Sequence, residues 1–565
     1  MTKSEPAGWK RLRPTLTASQ FRLLLCATLV LFYNAPLWRL VSSQPSSGPL
    51  TRLLFIAAFF TLLVALYQIF LTLIGHRRLL KPLAIFILLS ASAVSYFMQS
   101  YGILIDKSMV QNLFETNVGE AAELLSLPLL GHLLLYGLLP SVLVLGVRIR
   151  QRSCGTELKS GVLSLSLCLV VIGLNAALLF KDYSSLFRNN RQVRNLAVPS
   201  NYLYYGSRYL FGAYDPVDVP LQVLGEDARV IEPAAERERQ KLLILVVGET
   251  ARAANFGLNG YARDTTPRLR QESVIHFDQA ASCGTSTAES LPCMFSLNGR
   301  SDYDKGAERH RENLLDVLRH AGIGVLWRDN NSGCKGVCDR VESQPAQLFD
   351  TAEFCGDSEC YDETMLTALN DYLNSSPDDK VMVLHQKGSH GPAYYLRYPR
   401  RFEQFTPVCD SNQLQACSEA AIRNAYDNSI LYTDYFLSRV IGFLKQRQDR
   451  YDTAMLYMSD HGESLGEGNI YLHGMPYLLA PSEQTHIPFV VWLSRSLAQR
   501  DDINTQCLHG LRDSAVSHDN LVHSVLGLMN VRTEVYDPSL DIFRGCRRAP
   551  EDLARDDPAV GQGPA

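Results

Sequence analysis

The sequence predicts an α-helical membrane domain with about five spans, followed by an α/β domain with a mostly parallel sheet. Three observations support this fold class. Long apolar runs dominate residues 1–180, the composition of residues 241–550 is that of a mixed globular domain, and polar residues follow most apolar strands in that second part. A chain of 565 residues is also too long for a single hydrophobic core.

Five candidate membrane spans lie in the first part of the chain. Each is close to the ~20 apolar residues that a transmembrane helix needs, and a soluble core would hardly contain five such runs in series. The candidate spans are residues 21–41, 52–75, 81–100, 128–147 and 161–180. They predict a transmembrane domain over residues 1–180.

Basic residues predict the orientation of the chain, because Lys and Arg concentrate in cytoplasmic loops. They precede span one and occupy the loops between spans two and three and between spans four and five, whereas residues 106–123 are acidic. We therefore expect a cytoplasmic N-terminus and, after an odd number of spans, a C-terminal domain outside. Span one could instead be a signal peptide, but no convincing cleavage site follows it, which favours an uncleaved anchor.

A segment over residues 181–240 connects the two parts and is rich in Arg and Tyr. Such side chains are typical of segments at the level of the lipid headgroups, which predicts a membrane-interface connector. An ordinary polar linker with some buried tyrosines is an equal alternative. At the other end of the chain, residues 551–565 are predicted to be a disordered tail.

Cysteine usage supports an external location for the second part. Ten of the thirteen cysteines lie between residues 283 and 546, and an even, paired set predicts disulfides in an oxidising compartment. The close pairs are Cys283/Cys293, Cys334/Cys338, Cys355/Cys360 and Cys409/Cys417. Zinc at Cys334/Cys338 is a weaker alternative, because such a site needs two more ligands nearby. A pair between Cys507 and Cys546 rests on parity alone.

Five apolar runs in the second part are predicted strands, covering residues 241–247, 322–327, 380–385, 453–458 and 487–493. Their near-continuous apolar character is typical of strands buried on both faces of a parallel sheet. Helices are predicted over residues 311–320, 361–374, 419–447 and 518–528. The formal net charge of -4 gives no sign of nucleic-acid binding.

Residue types that bind metals or anions follow four of the five predicted strands. They are Glu249 after the first, Asn331 and Lys335 after the second, His390 after the third, and Asp460, His461 and His473 after the fourth. In a parallel sheet these residues converge at the carboxyl ends of the strands, where α/β enzymes have their active sites. Glu249 alone could cap a helix and His390 alone could be a satisfied buried histidine, but together they predict a catalytic site. Asp and His are zinc-class ligands.

Small hydroxyl residues precede a predicted helix in SCGTSTAESLPC, residues 282–293. A helix N-terminus offers free amide donors and a partial positive charge, both of which suit a phosphate. A threonine hydroxyl becomes a useful nucleophile when a bound metal lowers its pKa. Taken alone, the segment could also be a Ser/Thr-rich turn with a helix cap.

Five long motifs occur in order: GETARAANFGLNGYARDTTPRL (248–269), SCGTSTAESLPCMFS (282–296), WRDNNSGCKGV (327–337), HQKGSHGPAYY (385–395) and SDHGESLGEGNIYLHGMPY (459–477). Together they resemble the lipid A phosphoethanolamine transferases, a family that includes polymyxin-resistance enzymes. The resemblance covers essentially the whole chain. It implies an alkaline phosphatase-like, or sulfatase-like, catalytic domain on the periplasmic side of the bacterial inner membrane.

The resemblance also implies roles for the site residues. Zinc, as one ion or two, would be held by Glu249, Thr287, Asp460 and His461. Thr287, rather than Thr285, would be the nucleophile. Asn331, Lys335, His390 and His473 would contact the phosphoethanolamine group or a second metal, and the two histidines would also take part in catalysis.

Residues Asn112, Thr116 and Glu120 are spaced four apart, which predicts that they share one face of a helix. The resemblance implies that this helix binds the headgroup of the donor lipid, with the carboxylate facing the ammonium group. From the residues alone, a solvated helix face is the preferred interpretation.

The implied reaction moves phosphoethanolamine from phosphatidylethanolamine to a lipid A phosphate through Thr287. The added amine would offset negative charge and weaken the binding of cationic peptides. Three alternatives remain: a related transferase acting on core sugars or moving glycerol phosphate, a membrane-anchored phosphatase or sulfatase, and a non-catalytic adhesion or sensor protein. A sulfatase would want Cys or Ser in place of Thr287, and the intact metal set argues against a non-catalytic protein.

Overall fold

The computed structural model describes residues 14–44, 48–74, 78–116, 118–190, 192–212, 219–231, 238–349, 353–355, 359–376 and 378–547. The chain forms two compact units, one consisting of Met1–Val110 and Leu125–Asp215, the other of Gln111–Leu124 and Pro216–Ala565. The domain boundaries placed at residues 180 and 240 stay predictions. The predicted tail, residues 551–565, lies outside the described residues.

Helices account for most of the first 212 residues. In chain order they are α1 (Ala18–Phe32), α2 (Ala35–Ser42), α3 (Pro49–Ile74), α4 (Leu80–Tyr101), α5 (Lys107–Glu115), α6 (Val118–Glu123), α7 (Leu127–Gly146), α8 (Cys154–Asn189) and α9 (Ser200–Gly212), with a short helix at Val193–Leu196. Among the described residues, α3, α4, α7 and α8 are long and apolar enough to cross a membrane.

The predicted first span, residues 21–41, falls on two helices rather than one. Helices α1 and α2 together are apolar enough to span, but they are bent by 69° relative to each other. The bend falls at Asn34, whose side-chain amide donates to the Leu29 carbonyl at 2.9 Å, and α2 begins with Pro36 in its first turn. Pro lacks the N–H that would continue α1, so the helix breaks there.

Apolar side chains cover the outer faces of the long helices. In α8, Leu163 and Leu178 are 71% and 77% exposed. Such exposure is costly in water but favourable in lipid, where the hydrocarbon chains are equally apolar. These helices therefore have the surface of membrane-embedded segments.

An eight-stranded sheet forms the centre of the second unit. Its strands are β1 (Gln240–Gly248), β2 (Ile275–Ala281), β3 (Gly324–Asp329), β4 (Glu342–Pro345), β5 (Lys380–His385), β6 (Tyr451–Ser459), β7 (His486–Leu493) and β8 (Ala515–Ser517). They lie in the order β8-β2-β7-β6-β1-β5-β3-β4. Only β7 within this sheet runs antiparallel to its neighbours, so the prediction of a mostly parallel sheet is confirmed.

Helices cover both faces of this sheet. The longer ones are α10 (Thr287–Met294), α11 (Leu314–His320), α12 (Glu419–Lys445) and α13 (Asp519–Leu528), with short helices at Lys305–Glu308, Leu369–Leu373, Ser482–Thr485, Arg495–Arg500 and Thr505–Gly510. Strand β1 sends Leu243 and Leu245 into one hydrophobic core and Leu242 and Ile244 into the other. Successive side chains of a strand point to opposite faces, so two buried faces require a continuous apolar run.

The predicted helix over residues 361–374 is wrong. Its place is taken by a 3-10 turn at Asp362–Leu366 and a short helix at Leu369–Leu373. Ala368, between them, has a φ of 55°, a left-handed conformation that interrupts a helix. The three strands that sequence analysis missed, β2, β4 and β8, include two short ones at the sheet edges.

The described residues contain five disulfides. The four close pairs expected from the sequence are bonded, with Cα–Cα distances of 6.2 Å for Cys283–Cys293, 5.7 Å for Cys334–Cys338, 4.0 Å for Cys355–Cys360 and 5.7 Å for Cys409–Cys417. Cys507 and Cys546 also form a pair, 39 residues apart in the chain. The bond between Cys334 and Cys338 leaves neither thiol available for the alternative zinc site.

Removing the Cys507–Cys546 disulfide should destabilise the second compact unit more than removing the Cys334–Cys338 disulfide. The first closes a loop of 39 residues and the second a loop of four. Loop-closure entropy predicts losses of about 4 and about 2 kcal/mol, respectively. We expect the Cys→Ser double variants to show that order of melting temperatures by scanning fluorimetry, with thiol labelling confirming the loss of each bond. Equal or reversed losses would contradict this account.

Candidate active site

Strand pairing brings the ends of β1 and β6 together. Gly248 and Ser459 are partners in the parallel ladder, so Glu249 and Asp460, the next residues on each strand, lie side by side. Both carboxylates are buried, with 1% and 0% exposure, and His461 beside them is fully buried. The fifth predicted strand, residues 487–493, lies in β7, which runs antiparallel. This explains why no site residue follows it.

Glu249, Asp460 and His461 form a group that could hold a metal ion. One ligand atom from each lies within 4.8 Å of the others. Nε2 of His461 is 3.5 Å from a carboxylate oxygen of Glu249 and also 3.5 Å from one of Asp460. The hydroxyl of Thr287 joins the group, 3.0 Å from Oε2 of Glu249 and 3.4 Å from Nε2 of His461.

Two carboxylate oxygens of this group lack a hydrogen-bond donor in the described part of the chain. Among the described residues, Oε1 of Glu249 and Oδ2 of Asp460 are buried and have no hydrogen-bond partner. Nδ1 of His461 donates to the Gly462 carbonyl at 2.9 Å, which leaves the lone pair on Nε2. Buried acceptors of this kind are costly unless a cation neutralises them. Carboxylate oxygens and an imidazole nitrogen are the donor set of zinc-class ions, so the residues fit a metal.

The remaining atoms of the two carboxylates are held by donors. Oε2 of Glu249 accepts from the side-chain amide of Asn331 at 2.6 Å. Oδ1 of Asp460 accepts from the backbone amides of Thr250 and His461 at 3.2 and 2.7 Å. Each carboxylate is therefore fixed by one oxygen and presents the other. Such second-layer hydrogen bonds orient metal ligands.

Burial and mutual repulsion shape the charges of the group. Burial, and then the neighbouring Asp460, raise the pKa of Glu249 well above its ordinary value. Burial lowers the pKa of His461. For both side chains, burial therefore acts against the charged form.

The first turn of α10 presents Thr287 to this group. Ser286 occupies the N-cap position with an extended backbone, so the helix begins at Thr287. The Thr285 hydroxyl points elsewhere and donates to the Met475 carbonyl at 2.6 Å. Of the two threonines, only Thr287 lies beside Glu249, as the resemblance implied.

A small cavity of ≈ 50 Å³ opens next to Thr287. It is lined by Asn112, Glu115, Thr116, Glu120, Ser286, Thr287, Ala288, Ser332, Lys335, His390 and His473. The wall thus includes six residues that sequence analysis assigned to substrate binding. The seventh, Asn331, is not part of the wall, but its side-chain amide donates a hydrogen bond to Glu249.

Asn112, Thr116 and Glu120 reach this cavity, but the single helix face predicted for them is wrong. Helix α5 ends at Glu115, and α6 begins at Val118. The Thr116 hydroxyl donates back to the Asn112 carbonyl at 2.6 Å. A side chain that bonds the preceding turn in this way competes with regular helix geometry.

Charged partners already surround the cavity. Nζ of Lys387 lies 3.4 Å from the Glu120 carboxylate and 3.0 Å from that of Glu359. Nζ of Lys335 donates to the carbonyl and the hydroxyl of Ser332 at 3.1 and 3.0 Å. Side chains of both charge signs therefore line or adjoin the cavity.

Two histidines complete the wall. Nδ1 of His473 is 2.8 Å from the Glu463 carboxylate, and its ring lies 4.5 Å from that of His461, centroid to centroid. Burial alone would lower the pKa of His473, but Glu463 outweighs it and the pKa is raised. Burial, and then nearby Lys387, hold the pKa of His390 well below its ordinary value. The pKa values of the two rings are thus shifted in opposite directions.

Several supporting residues were not predicted from the sequence. Glu463 orients His473, and it could have been predicted because it lies two residues after His461 in the same loop. Asp362 accepts from the backbone amides of Lys387 and Gly388 at 2.8 and 3.2 Å and so fixes the loop after β5. No local pattern marked Asp362, since its partners are distant in the chain.

Two family models match this chain. The model described as Sulfatase matches residues 241–531, and the model described as Phosphoethanolamine transferase EptA/EptB matches residues 62–214. The first therefore matches the domain that contains the candidate site, and the second matches most of the region with the apolar helices.

Known proteins resemble the chain over almost its full length. Phosphoethanolamine transferase EptA of Salmonella typhimurium is 40% identical over 95% of this chain and 99% of its own. The structure of the integral membrane protein lipooligosaccharide phosphoethanolamine transferase A from Neisseria meningitidis superposes with a TM-score of 0.91 at 37% identity, covering 95% of this chain and 100% of that one. The Kdo(2)-lipid A phosphoethanolamine 7''-transferase of Escherichia coli is 28% identical over 80% of this chain and 82% of its own.

These matches agree with the architecture built from the residues. The apolar helices and the related integral membrane protein make the chain a multi-pass membrane protein. The Sulfatase match covers the sheet and the buried ligand group at the carboxyl ends of its central strands. This chain belongs to the phosphoethanolamine transferase family.

Proposed function

We propose that this protein transfers phosphoethanolamine from phosphatidylethanolamine to a phosphate of lipid A through a covalent intermediate on Thr287. One observation carries the proposal: the Thr287 hydroxyl lies at a helix N-terminus, beside three buried metal-type ligands and at the wall of a polar cavity. The acceptor is supported by the relative whose name includes Kdo(2)-lipid A.

Zinc, as one ion or two, is the proposed cofactor. Glu249, Asp460 and His461 would hold it, with the Thr287 oxygen as a further ligand. When bound, zinc supplies a Lewis acid that lowers the pKa of the Thr287 hydroxyl and stabilises charge on the phosphoryl group.

The cavity wall would bind the donor headgroup. The carboxylates of Glu115 and Glu120 suit its ammonium group, and Nζ of Lys335 suits the phosphate as a point charge. Asn112 and Thr116 add uncharged polar groups to the same wall. Binding the headgroup in this way would hold the phosphorus next to Thr287, and such positioning accounts for much of the catalysis of phosphoryl transfer.

Two displacements complete the proposed reaction. The Thr287 oxygen attacks the phosphorus, the bond to the diacylglycerol oxygen breaks, and that oxygen takes a proton from His473, from His390 or from water. The raised pKa of His473 makes it the better proton donor of the two histidines. An oxygen of the lipid A phosphate then attacks the same phosphorus, and the bond to Thr287 breaks.

The proposed location is the bacterial inner membrane, with a cytoplasmic N-terminus and a periplasmic catalytic domain. The distribution of basic residues supports this orientation, and the five disulfides suit an oxidising compartment. There the product would carry an added amine on the cell surface. Reduced negative charge would weaken the binding of polymyxin and other cationic peptides.

Substitution should separate the metal ligands from the contacts to phosphate. In Glu249→Ala, Asp460→Ala and His461→Ala, we expect zinc content and transfer to fall together, because each change removes one ligand. In Lys335→Ala, zinc content should be retained while the KM for the donor rises, because only a positive charge beside the phosphate is lost. Zinc is measured by mass spectrometry of the purified full-length protein.

Asn331→Ala provides a further comparison within this series. It removes the hydrogen bond that orients Glu249 but no ligand, so zinc affinity should fall by about tenfold, within the range seen for such supporting residues. Normal zinc content in the Asp460 and His461 variants would refute the ligand assignment.

The intermediate should be detectable on Thr287. After incubation with phosphatidylethanolamine and no lipid A, peptide mass spectrometry should find phosphoethanolamine on this residue. Thr287→Ala should abolish both the adduct and the transfer, whereas Thr287→Ser should keep part of the activity, because it retains the hydroxyl. Thr285→Ala is the matched control, since its hydroxyl faces Met475 and not the ligand group.

Two results would count against this mechanism. An adduct on Thr285 or Ser286 would show that the nucleophile is assigned to the wrong residue. Normal transfer by Thr287→Ala would replace the covalent route with direct transfer between the two lipids.

A further inference from the structure

We propose that a second cavity, lined by cationic side chains and adjoining the first, binds the phosphorylated headgroup of the acceptor. Its volume is ≈ 320 Å³, against ≈ 50 Å³ for the cavity at Thr287. Its polar wall includes Tyr303, Lys305, Arg309, Arg311, Lys335 and Arg340. This inference rests on the proposed transfer to a phosphorylated lipid and assigns a separate place to the acceptor.

The charge of the wall favours an anion. Among the lining residues, five cationic side chains outnumber three carboxylates, those of Glu308, Glu312 and Asp339. Two of the cations have close carboxylate partners: Arg340 bonds Asp316 at 2.7 Å, and Arg311 bonds Glu308 at 3.1 Å. These pairs fix the positions of the guanidinium groups that face the cavity.

Two other cations are less fully neutralised. Nζ of Lys305 and a guanidinium nitrogen of Arg309 lie 3.8 and 3.6 Å from one oxygen of Glu115, which they share. One carboxylate cannot balance two cations, so a phosphate group would find positive potential here. Arg binds phosphate through two parallel hydrogen bonds, and Lys does so as a point charge.

A buried hydroxyl adds a donor to this wall. The phenolic oxygen of Tyr303 is buried and, among the described residues, has no hydrogen-bond partner. A buried hydroxyl without a partner costs free energy, which a bound phosphate oxygen would recover by accepting its proton. The cavity therefore combines cationic groups with a hydroxyl that has no hydrogen-bond acceptor among the described residues.

The second cavity is connected to the nucleophile. Lys335 lines both cavities. Lys305, on the second wall, donates to the carbonyl of Ala288, the residue that follows Thr287. An acceptor held here is therefore next to the intermediate. Its phosphate oxygen would attack the phosphorus on Thr287, the bond from phosphorus to the Thr287 oxygen would break, and that oxygen would regain a proton.

The test separates the two halves of the reaction in the purified full-length protein. Tyr303→Phe and Arg309→Gln are compared with the wild type for adduct formation from phosphatidylethanolamine and for transfer to lipid A. Both variants should form the Thr287 adduct at the wild-type rate, because the donor cavity keeps its walls. Each should raise the KM for lipid A about tenfold, the effect of losing one hydrogen bond to a charged group.

Arg270→Gln is the matched control. The Arg270 side chain is 57% exposed, as is that of Arg309, and it pairs with Asp264 at 3.0 Å, but it lines neither cavity. Its KM for lipid A should equal that of the wild type. Tyr303→Phe guards against an indirect effect, because it removes only a hydroxyl and leaves the ion pairs of Glu115 intact.

Three outcomes would overturn the inference. An unchanged KM for lipid A in both variants would mean that the second cavity does not bind the acceptor. A slower adduct formation equal to the loss in transfer would place the effect on the donor instead. If the wild type forms no adduct and modifies no lipid A, the proposed function itself fails, and this inference fails with it.

Discussion

The main constraint on this structure is the close approach of three buried side chains, Glu249, Asp460 and His461, whose ligand atoms lie within 4.8 Å of one another. Oε1 of Glu249 and Oδ2 of Asp460 have no hydrogen-bond partner in the described part of the chain, and each lies 3.5 Å from Nε2 of His461, which carries a lone pair. Two buried carboxylates in contact would repel each other, and the raised pKa of Glu249 reflects that repulsion together with burial. A divalent cation would turn this unfavourable arrangement into a favourable one, so the residues at this position fit a metal ion.

The parallel sheet makes this arrangement possible. The carboxyl ends of neighbouring parallel strands lie on the same side of a sheet. The register of β1 against β6 therefore places Glu249 directly beside Asp460. Segment 111–124 lies between apolar helices in the chain yet is grouped with the catalytic domain, to which Glu120 is bound through Lys387. Glu120, which lies between apolar helices in the chain, therefore lines the cavity beside Thr287.

Much of this site could be predicted from the sequence, because buried strands and the residues after them are local signals. Continuous apolar runs such as 380–385 predicted strands, and the polar residues at their ends predicted the ligands. Strand β2 is not a continuous apolar run: polar His276 and Asp278 alternate with its apolar residues, which is the pattern of a half-buried strand, and a prediction from continuous runs misses it. The support from Asp362 also escaped prediction, because it depends on a contact with Lys387, 25 residues further along the chain.

Lipid A itself provides the most direct test of the central claim. Lipid A is extracted from Gram-negative cells that express the wild-type protein, its Thr287→Ala variant or neither, and is compared by mass spectrometry. The account predicts an added mass of one phosphoethanolamine unit with the wild type alone. Unmodified lipid A in cells that contain folded, zinc-loaded wild-type protein would contradict it, as would the same added mass with the Thr287→Ala variant.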